Sequence, residues 1–262
     1  MTQRKETIDF WNVYHTHEND KEWIVKPSAK LLDYLQTWLP KDANVLEIGC
    51  GTSYLSRYLY LCERFTGTSF LVTDVSPVCV DINRKRDASL LSDRFQYQVL
   101  DALDPPLIIK KQNFDVVMDK GCLDTFLYRS SHGEKLVISL LENVYQMLKN
   151  DGRYIFFSPR RKIRLIRDYK GFQFIERISL SSSNSDVGDL DGETTKSVVF
   201  LHIYRKSEQQ SPPKGEMKEL DDLSESCSKC GVTFHEFCKS NEITSKVMRR
   251  WKGHRTHCQG KN

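Results

Sequence analysis

The stretch NVLEIGCGTSYLSRYLY, residues 44–60, runs from an apolar strand through two glycines into a helical segment whose one charge is Arg57. Gly49 and Gly51 allow a sharp turn after the strand and let a ligand approach backbone with no Cβ in the way. Outward from this loop, apolar runs alternate with helical periodicity. That alternation predicts a parallel sheet flanked by helices. Strands are expected at Asn44–Ile48, Phe70–Thr73, Phe95–Leu100, Phe114–Met118 and Arg153–Phe157, with helices at about Thr52–Leu61, Pro77–Leu91 and Gly133–Lys149. The last of these helices ends at an Asn-Asp-Gly turn. Two further strand-like runs, GFQFIERISL and KSVVFLHIYRK, flank the polar SSSNSDVGDLDGETT and predict an antiparallel hairpin with a long loop.

A chain of 262 residues is long enough for one such α/β domain plus a small module. The expected division is 1–206 for the domain, 207–224 for a linker rich in Pro, Ser and charge, and 225–262 for a cysteine-rich module. A net charge of +4 and a pI near 8.5 are too mild to argue for nucleic acid alone. No run of about 18 apolar residues suggests a membrane span. MTQRKETIDFW lacks the apolar region of a secretory leader, so cytosol or nucleus is the expected compartment and the 8 cysteines are expected as thiols or metal ligands.

Asp74 falls at the carboxyl end of the second expected strand, where a carboxylate can take both hydroxyls of a ribose. A dinucleotide is opposed by two details: the loop lacks the third glycine of G-x-G-x-x-G, and Glu47 places a negative charge where a pyrophosphate would dock. S-adenosylmethionine has a ribose, no phosphate and a positive sulfonium, which suits that charge. Glu47-Ile48-Gly49-Cys50-Gly51, Asp74 and Asp101 in VLDALD together resemble the motifs of class I S-adenosylmethionine-dependent methyltransferases. The resemblance implies a Rossmann-like, doubly wound seven-stranded sheet ending in an antiparallel hairpin. It further implies that Glu47, Gly49, Gly51, Asp74 and Asp101 hold the cofactor, with Asp101 near the adenine amine.

FDVVMDKGCLDTFLY contains no N-P-P-Y-like tetrapeptide for a nucleobase amine. Asp119-Lys120-Gly121 with Asp124 resembles the D-K-G-x-x-D signature of protein-lysine methyltransferases, the branch acting on citrate synthase and on translation elongation factor 1-alpha. A lysine ammonium must bind in an acidic, partly desolvated pocket and lose its proton before attack. Asp119 and Asp124 are the candidate catalytic carboxylates for that pocket; the alternative for Asp119 is a cap on the turn after the fourth strand. FWNVYHTHENDKEWIV resembles the entry segment of the same branch, which folds over the cofactor, and Trp11 becomes a cofactor candidate through it. Tyr14 stands where that segment has an arginine for the cofactor carboxylate. Trp11 and Trp23 are read equally as core or as lid.

Two features lie outside this set. PRRKIRLIRDYK, residues 159–170, reads either as a solvated helix face or as a surface steering an acidic protein or RNA. Cys227 and Cys230 form a C-x2-C knuckle, and His254 and Cys258 share one face of an expected helix, a set suited to one structural zinc ion; His235, Cys238 and His257 are spare donors. The expected partner is a protein carrying an acceptor lysine. RNA methylation and a non-catalytic cofactor-binding scaffold are the competing functions.

Overall fold

The computed structural model describes residues 3–17, 22–128, 133–181 and 198–207. Seven strands, β1 (Asn44–Ile48), β2 (Ser69–Asp74), β3 (Phe95–Val99), β4 (Phe114–Lys120), β5 (Leu148–Ser158), β6 (Phe172–Ser181) and β7 (Val198–Lys206), form one sheet of order β3-β2-β1-β4-β5-β7-β6. The first five are parallel, while β7 is antiparallel to both β5 and β6. This is the expected sheet with its terminal hairpin. The chain divides into a unit Met1–Glu208, to which every described residue belongs, and a unit Gln209–Asn262, which lies outside them. The zinc ligands expected at Cys227, Cys230, His254 and Cys258 therefore lie outside the described residues.

The central strands are apolar on both faces because both faces are covered. Val45, Val72, Val116 and Met118 pack on one side with α2 (Ala29–Trp38), α3 (Leu55–Leu61) and α4 (Pro77–Arg86), through Leu31, Leu35, Leu59 and Val80. Leu46, Ile48, Val117 and Phe156 face the other side. There they meet α6 (Cys122–Leu127), α7 (Gly133–Met147) and α8 (Arg164–Asp168), through Leu123, Leu140, Val144 and Ile166. α5 (Leu107–Lys110) adds Ile109 to that second layer. Successive strand residues point to opposite faces, so Val45 and Leu46 serve different cores.

Element ends differ from the sequence reading for local reasons. α3 begins at Leu55 rather than Thr52, because Ser53 Oγ accepts from the Leu55 amide and a Glu22 carboxylate oxygen accepts from the Tyr54 amide. Those acceptors satisfy amides that a longer helix would have had to use internally. α4 stops at Arg86, and a short 3-10 turn, Ala88–Leu90, follows. Asp87 between them is fully engaged by Arg57, Arg86 and the Tyr97 hydroxyl, which fixes the break. α7 ends at Met147, since Leu148 already pairs with Phe114 and Asp151 takes a positive φ of 61° in the turn.

The strand order reverses between β1 and β4. In an open α/β sheet that reversal leaves a crevice at the carboxyl ends of the strands. α1 (Gln3–His17) packs against α4, and residues 22–28 lead from it into α2. Among the described residues, no helix is long and apolar enough to cross a membrane.

Candidate active site

A cavity of about 290 Å³ occupies that crevice, walled by the ends of β1 to β4 and by α1. Gly49 and Gly51 form its floor after β1, both with positive φ, 57° and 54°. At Gly49 a Cβ would lie 2.6 Å from Cys122 Cβ and 2.7 Å from its Sγ, so the glycine lets β1 and the start of α6 touch. At Gly51 the nearest atom to a Cβ is His15 Cε1, at 3.6 Å. Gly49→Ala is therefore expected to destabilise the fold by roughly 3 kcal/mol, from left-handed strain plus overpacking. Gly51→Ala meets the backbone penalty alone, about 1 kcal/mol. Urea denaturation of the two variants checks the ranking.

Asp74 ends β2 on the cavity wall. Its Oδ2 accepts from the Gly51 amide and its Oδ1 from the Ser76 amide, each at 2.9 Å. Burial raises its pKa, while these amides and His15 oppose the rise. The carboxylate is thus locked in orientation with lone pairs left for a ligand hydroxyl. Asp101 follows β3 on the same wall. Its Oδ1 accepts from the Leu103 amide at 2.9 Å, and its Oδ2 meets Arg4 Nε at 3.0 Å. Arg4 also donates to Asp104 at 2.7 Å, which ties the first turn of α1 to the β3 end of the cavity.

The roof is aromatic. Trp11 and Trp23 both line the cavity, with Tyr14 packed against each at 5.6 and 5.8 Å between ring centroids. Trp23 is 40 % exposed, so it covers the cavity instead of filling a core. Tyr14 itself is not on the wall. Below the roof, Ser76 Oγ donates to Asn12 Oδ1 at 2.7 Å.

At the β4 end the cavity is bounded by Lys120, Gly121 and Cys122. The Lys120 side chain is 1 % exposed and pairs with Glu22, whose carboxylate also receives Ser53 Oγ at 3.2 Å and the Tyr54 amide. One carboxylate thereby joins residues 22–28, the glycine-loop helix and the end of β4. Gly121 has φ 92°, and a Cβ there would sit 2.8 Å from Ile24 Cδ1.

Three of the expected site residues, Glu47, Asp119 and Asp124, are not on the cavity wall. Glu47 is 1 % exposed, bonded by the Ser56 hydroxyl, and its Oε1 has no hydrogen-bond partner among the described residues. Burial pushes its carboxyl up to about 7, against the opposing Ser56 bond and Lys120 charge, and the carboxylate is turned inward to Ser56 instead of facing a ligand. Asp119 is fully buried, its oxygens accepting from the Cys122 and Leu123 amides at 2.7 and 2.9 Å and from the Tyr154 hydroxyl at 2.9 Å. It caps the start of α6; burial pushes it up to about 7, opposed by those bonds. Asp124 lies on the face of α6 away from Cys122, Thr125 and Phe126, which line the cavity; its Oδ1 accepts from Ser158 Oγ at 2.9 Å and faces Arg160 Nε at 3.6 Å.

Glu47 carries a pH dependence. With a folded-state pKa near 7 against 4.5 in the open, the folded chain keeps a proton that the unfolded chain releases, so stability falls as pH rises from about 4.5 to 7 and is level above. Glu47→Gln is expected to raise stability at pH 8 by roughly 1–3 kcal/mol and to change little at pH 4.5. Denaturant titrations at both pH values test it.

His15, Arg4 and Glu22 form part of the site and were not singled out as site residues from the sequence, and Lys120 entered only as part of the Asp119-Lys120-Gly121 signature. A lone histidine or arginine within a helix has no signature of its own; the available signals were the Asp-Lys-Gly signature for Lys120 and the segment FWNVYHTHENDKEWIV, which contains His15 and Glu22. His15, Asp74 and Cys79 each place a donor atom within 4.8 Å of the others and could together hold a metal ion.

The family described as "Methyltransferase domain" matches residues 39–212. The EEF1A lysine methyltransferase 4 of Mus musculus is 31 % identical over 172 residues, covering 62 % of this chain and 64 % of its own. The mitochondrial citrate synthase-lysine N-methyltransferase CSKMT of Danio rerio is 26 % identical over 204 residues, 70 % of this chain and 78 % of its own. The chain spans less than two thirds of the first relatives it matches, 22 % of one and 64 % of the mouse protein. A chain in the solved complex of the Haloferax volcanii Trm112 methyltransferase activator with a methyltransferase shares the fold at TM-score 0.55 and 16 % identity, over 80 % of this chain and 100 % of that one. With its seven-stranded sheet, glycine loop and strand-end carboxylates, the chain belongs to the methyltransferase domain family.

Proposed function

We propose that this chain is an S-adenosylmethionine-dependent protein-lysine N-methyltransferase. The observation that carries the reading is the meeting, around one cavity, of the glycine loop, Asp74, Asp101 and the Lys120-Gly121 end of β4. The names of the mouse and zebrafish relatives support a lysine acceptor. The donor set suits an adenosyl group: Asp74 for ribose hydroxyls, Asp101 for an amine, and glycine backbone in place of side chains.

When bound, S-adenosylmethionine supplies an electrophilic methyl group on a positive sulfur. Gly49 and Gly51 would hold its amino-acid portion, and the aromatic roof of Trp11 and Trp23 would exclude water above it. The residues of the chain serve by positioning and electrostatics, since an electrophile this strong needs alignment more than a strong base. Lys120, neutralised by Glu22, keeps the β4 end from repelling a cationic donor. Asp119 acts as a positioning residue: by capping α6 it fixes Gly121 and Cys122 at the transfer end. Asp124 with Ser158, and the Arg160 guanidinium stacked 5.0 Å over Tyr128, form the adjoining surface that an acceptor segment would meet.

The exposed cations Arg160, Arg161, Lys162, Arg164 and Arg167 after β5 favour a second reading, RNA methylation. Full-length protein incubated with tritiated cofactor and either proteome or total RNA from cells lacking the enzyme separates the two. Label in protein, recovered as methyl-lysine after hydrolysis, is expected; label confined to RNA refutes the lysine reading. From the sequence, we further propose a structural zinc ion on Cys227, Cys230, His254 and Cys258 and a cytosolic or nuclear location. Metal analysis of the full chain tests the zinc.

A further inference from the structure

We infer that His15 is a second ribose contact, holding the cofactor's diol from the side opposite Asp74. The inference rests on the adenosyl reading of the cavity. His15 is 3 % exposed, lines the cavity, and its Nδ1 has no hydrogen-bond partner among the described residues. An imidazole nitrogen in that position loses its water without compensation, which is costly unless a ligand supplies the partner.

Two aromatic rings pack against the imidazole. It stacks on Trp11 at 5.9 Å and 26°, and Tyr14 packs edge-on against it at 5.3 Å. Cε1 looks onto Gly51, where even a methyl group would rest at 3.6 Å, so the ring and the glycine loop enclose one slot. Across that slot stands Asp74, with an oxygen within 4.8 Å of an imidazole nitrogen. A single hydroxyl oxygen, at about 2.7 Å from a carboxylate and about 2.9 Å from a ring nitrogen, bridges a gap of this size. Asp74 can only accept, while imidazole accepts or donates according to its tautomer. A hydroxyl donating to Asp74 and bonding to His15 satisfies both, and a vicinal diol adds a second donor for the carboxylate.

A metal ion on His15, Asp74 and Cys79 is the competing occupant. Cys79 is wholly buried, receives Asn83 Nδ2 at 3.7 Å and does not line the cavity, whereas His15 and Asp74 both do. A ligand arriving through the cavity therefore meets the imidazole and the carboxylate, not the thiol.

The test is calorimetric titration of the full chain, in EDTA, with S-adenosylhomocysteine and with its 2′-deoxy and 3′-deoxy analogues. Parent, His15→Ala and His15→Phe are compared; phenylalanine keeps the stack on Trp11 while removing both nitrogens. Both variants are expected to bind S-adenosylhomocysteine about tenfold more weakly than the parent. Toward at least one deoxy analogue, parent and variants are expected to be equal, since the hydroxyl that His15 reads is gone. Equal weakening for all three ligands would mean a merely structural role and overturn the inference, as would no weakening. Parent protein that binds none of them overturns the adenosyl reading itself, a separate result.

Discussion

Asp74→Ala is expected to weaken binding of S-adenosylhomocysteine by roughly 100-fold while the protein remains folded. Two effects add. The ligand loses a charged acceptor for its ribose hydroxyls, each such bond contributing about 1.5–3 kcal/mol. The glycine loop also loses its anchor, because the same carboxylate holds the Gly51 and Ser76 amides. Asp74→Asn is expected to show both effects less strongly than alanine does, since it retains one acceptor oxygen while turning an NH2 group toward one of those amides. Calorimetry on both variants, with thermal unfolding alongside, measures the effect. A folded Asp74→Ala protein of unchanged affinity would remove the ribose from this end of β2.

Glu22→Ala should give the largest loss of stability of any substitution near the site. The Lys120 side chain is 1 % exposed, and removing its partner leaves an uncompensated buried charge, at a cost of about 3–5 kcal/mol. The Tyr54 amide loses its acceptor in the same step. For a domain of this size the melting temperature should fall by roughly 10 °C. Glu22→Ala combined with Lys120→Met is expected to recover much of that loss, because the buried charge is then gone. Thermal melts of the single and double variants decide it; a double variant no more stable than the single one would show that the ion pair is not what joins residues 22–28 to β4.

The sheet was legible because its strands are short apolar runs bounded by turn residues, and because covering on both faces makes those runs continuous. The glycine loop and Asp74 were legible for a local reason: φ near +57° at Gly49 demands glycine, and Asp74 follows at the strand end. Helix α6 and the partners of Asp119 and Asp124 were not legible. Asp119 looks the same in sequence whether it faces a ligand or bonds the Cys122 and Leu123 amides; only the direction of the chain after Gly121, set by its φ of 92°, distinguishes the two. Asp124 fails for a related reason, since a six-residue helix does not reveal which face it buries. Glu47 misled because a carboxylate in a strand-loop motif reads as exposed charge, whereas the alternation of β1 turns it inward to Ser56. Contacts between distant segments, such as Glu22 with Lys120 and His15 with Asp74, depend on where α1 and residues 22–28 cross the sheet edge. No spacing rule reports that.

The crevice at the ends of β1 to β4 is proposed to hold an adenosyl sulfur cofactor. Titration of the full chain with S-adenosylhomocysteine, set beside NAD and FAD under the same conditions, tests it most directly. Saturable binding of S-adenosylhomocysteine at one site per chain, displaced by S-adenosylmethionine, is expected, with no binding of either dinucleotide. Saturation by NAD or FAD with no heat from S-adenosylhomocysteine would contradict it.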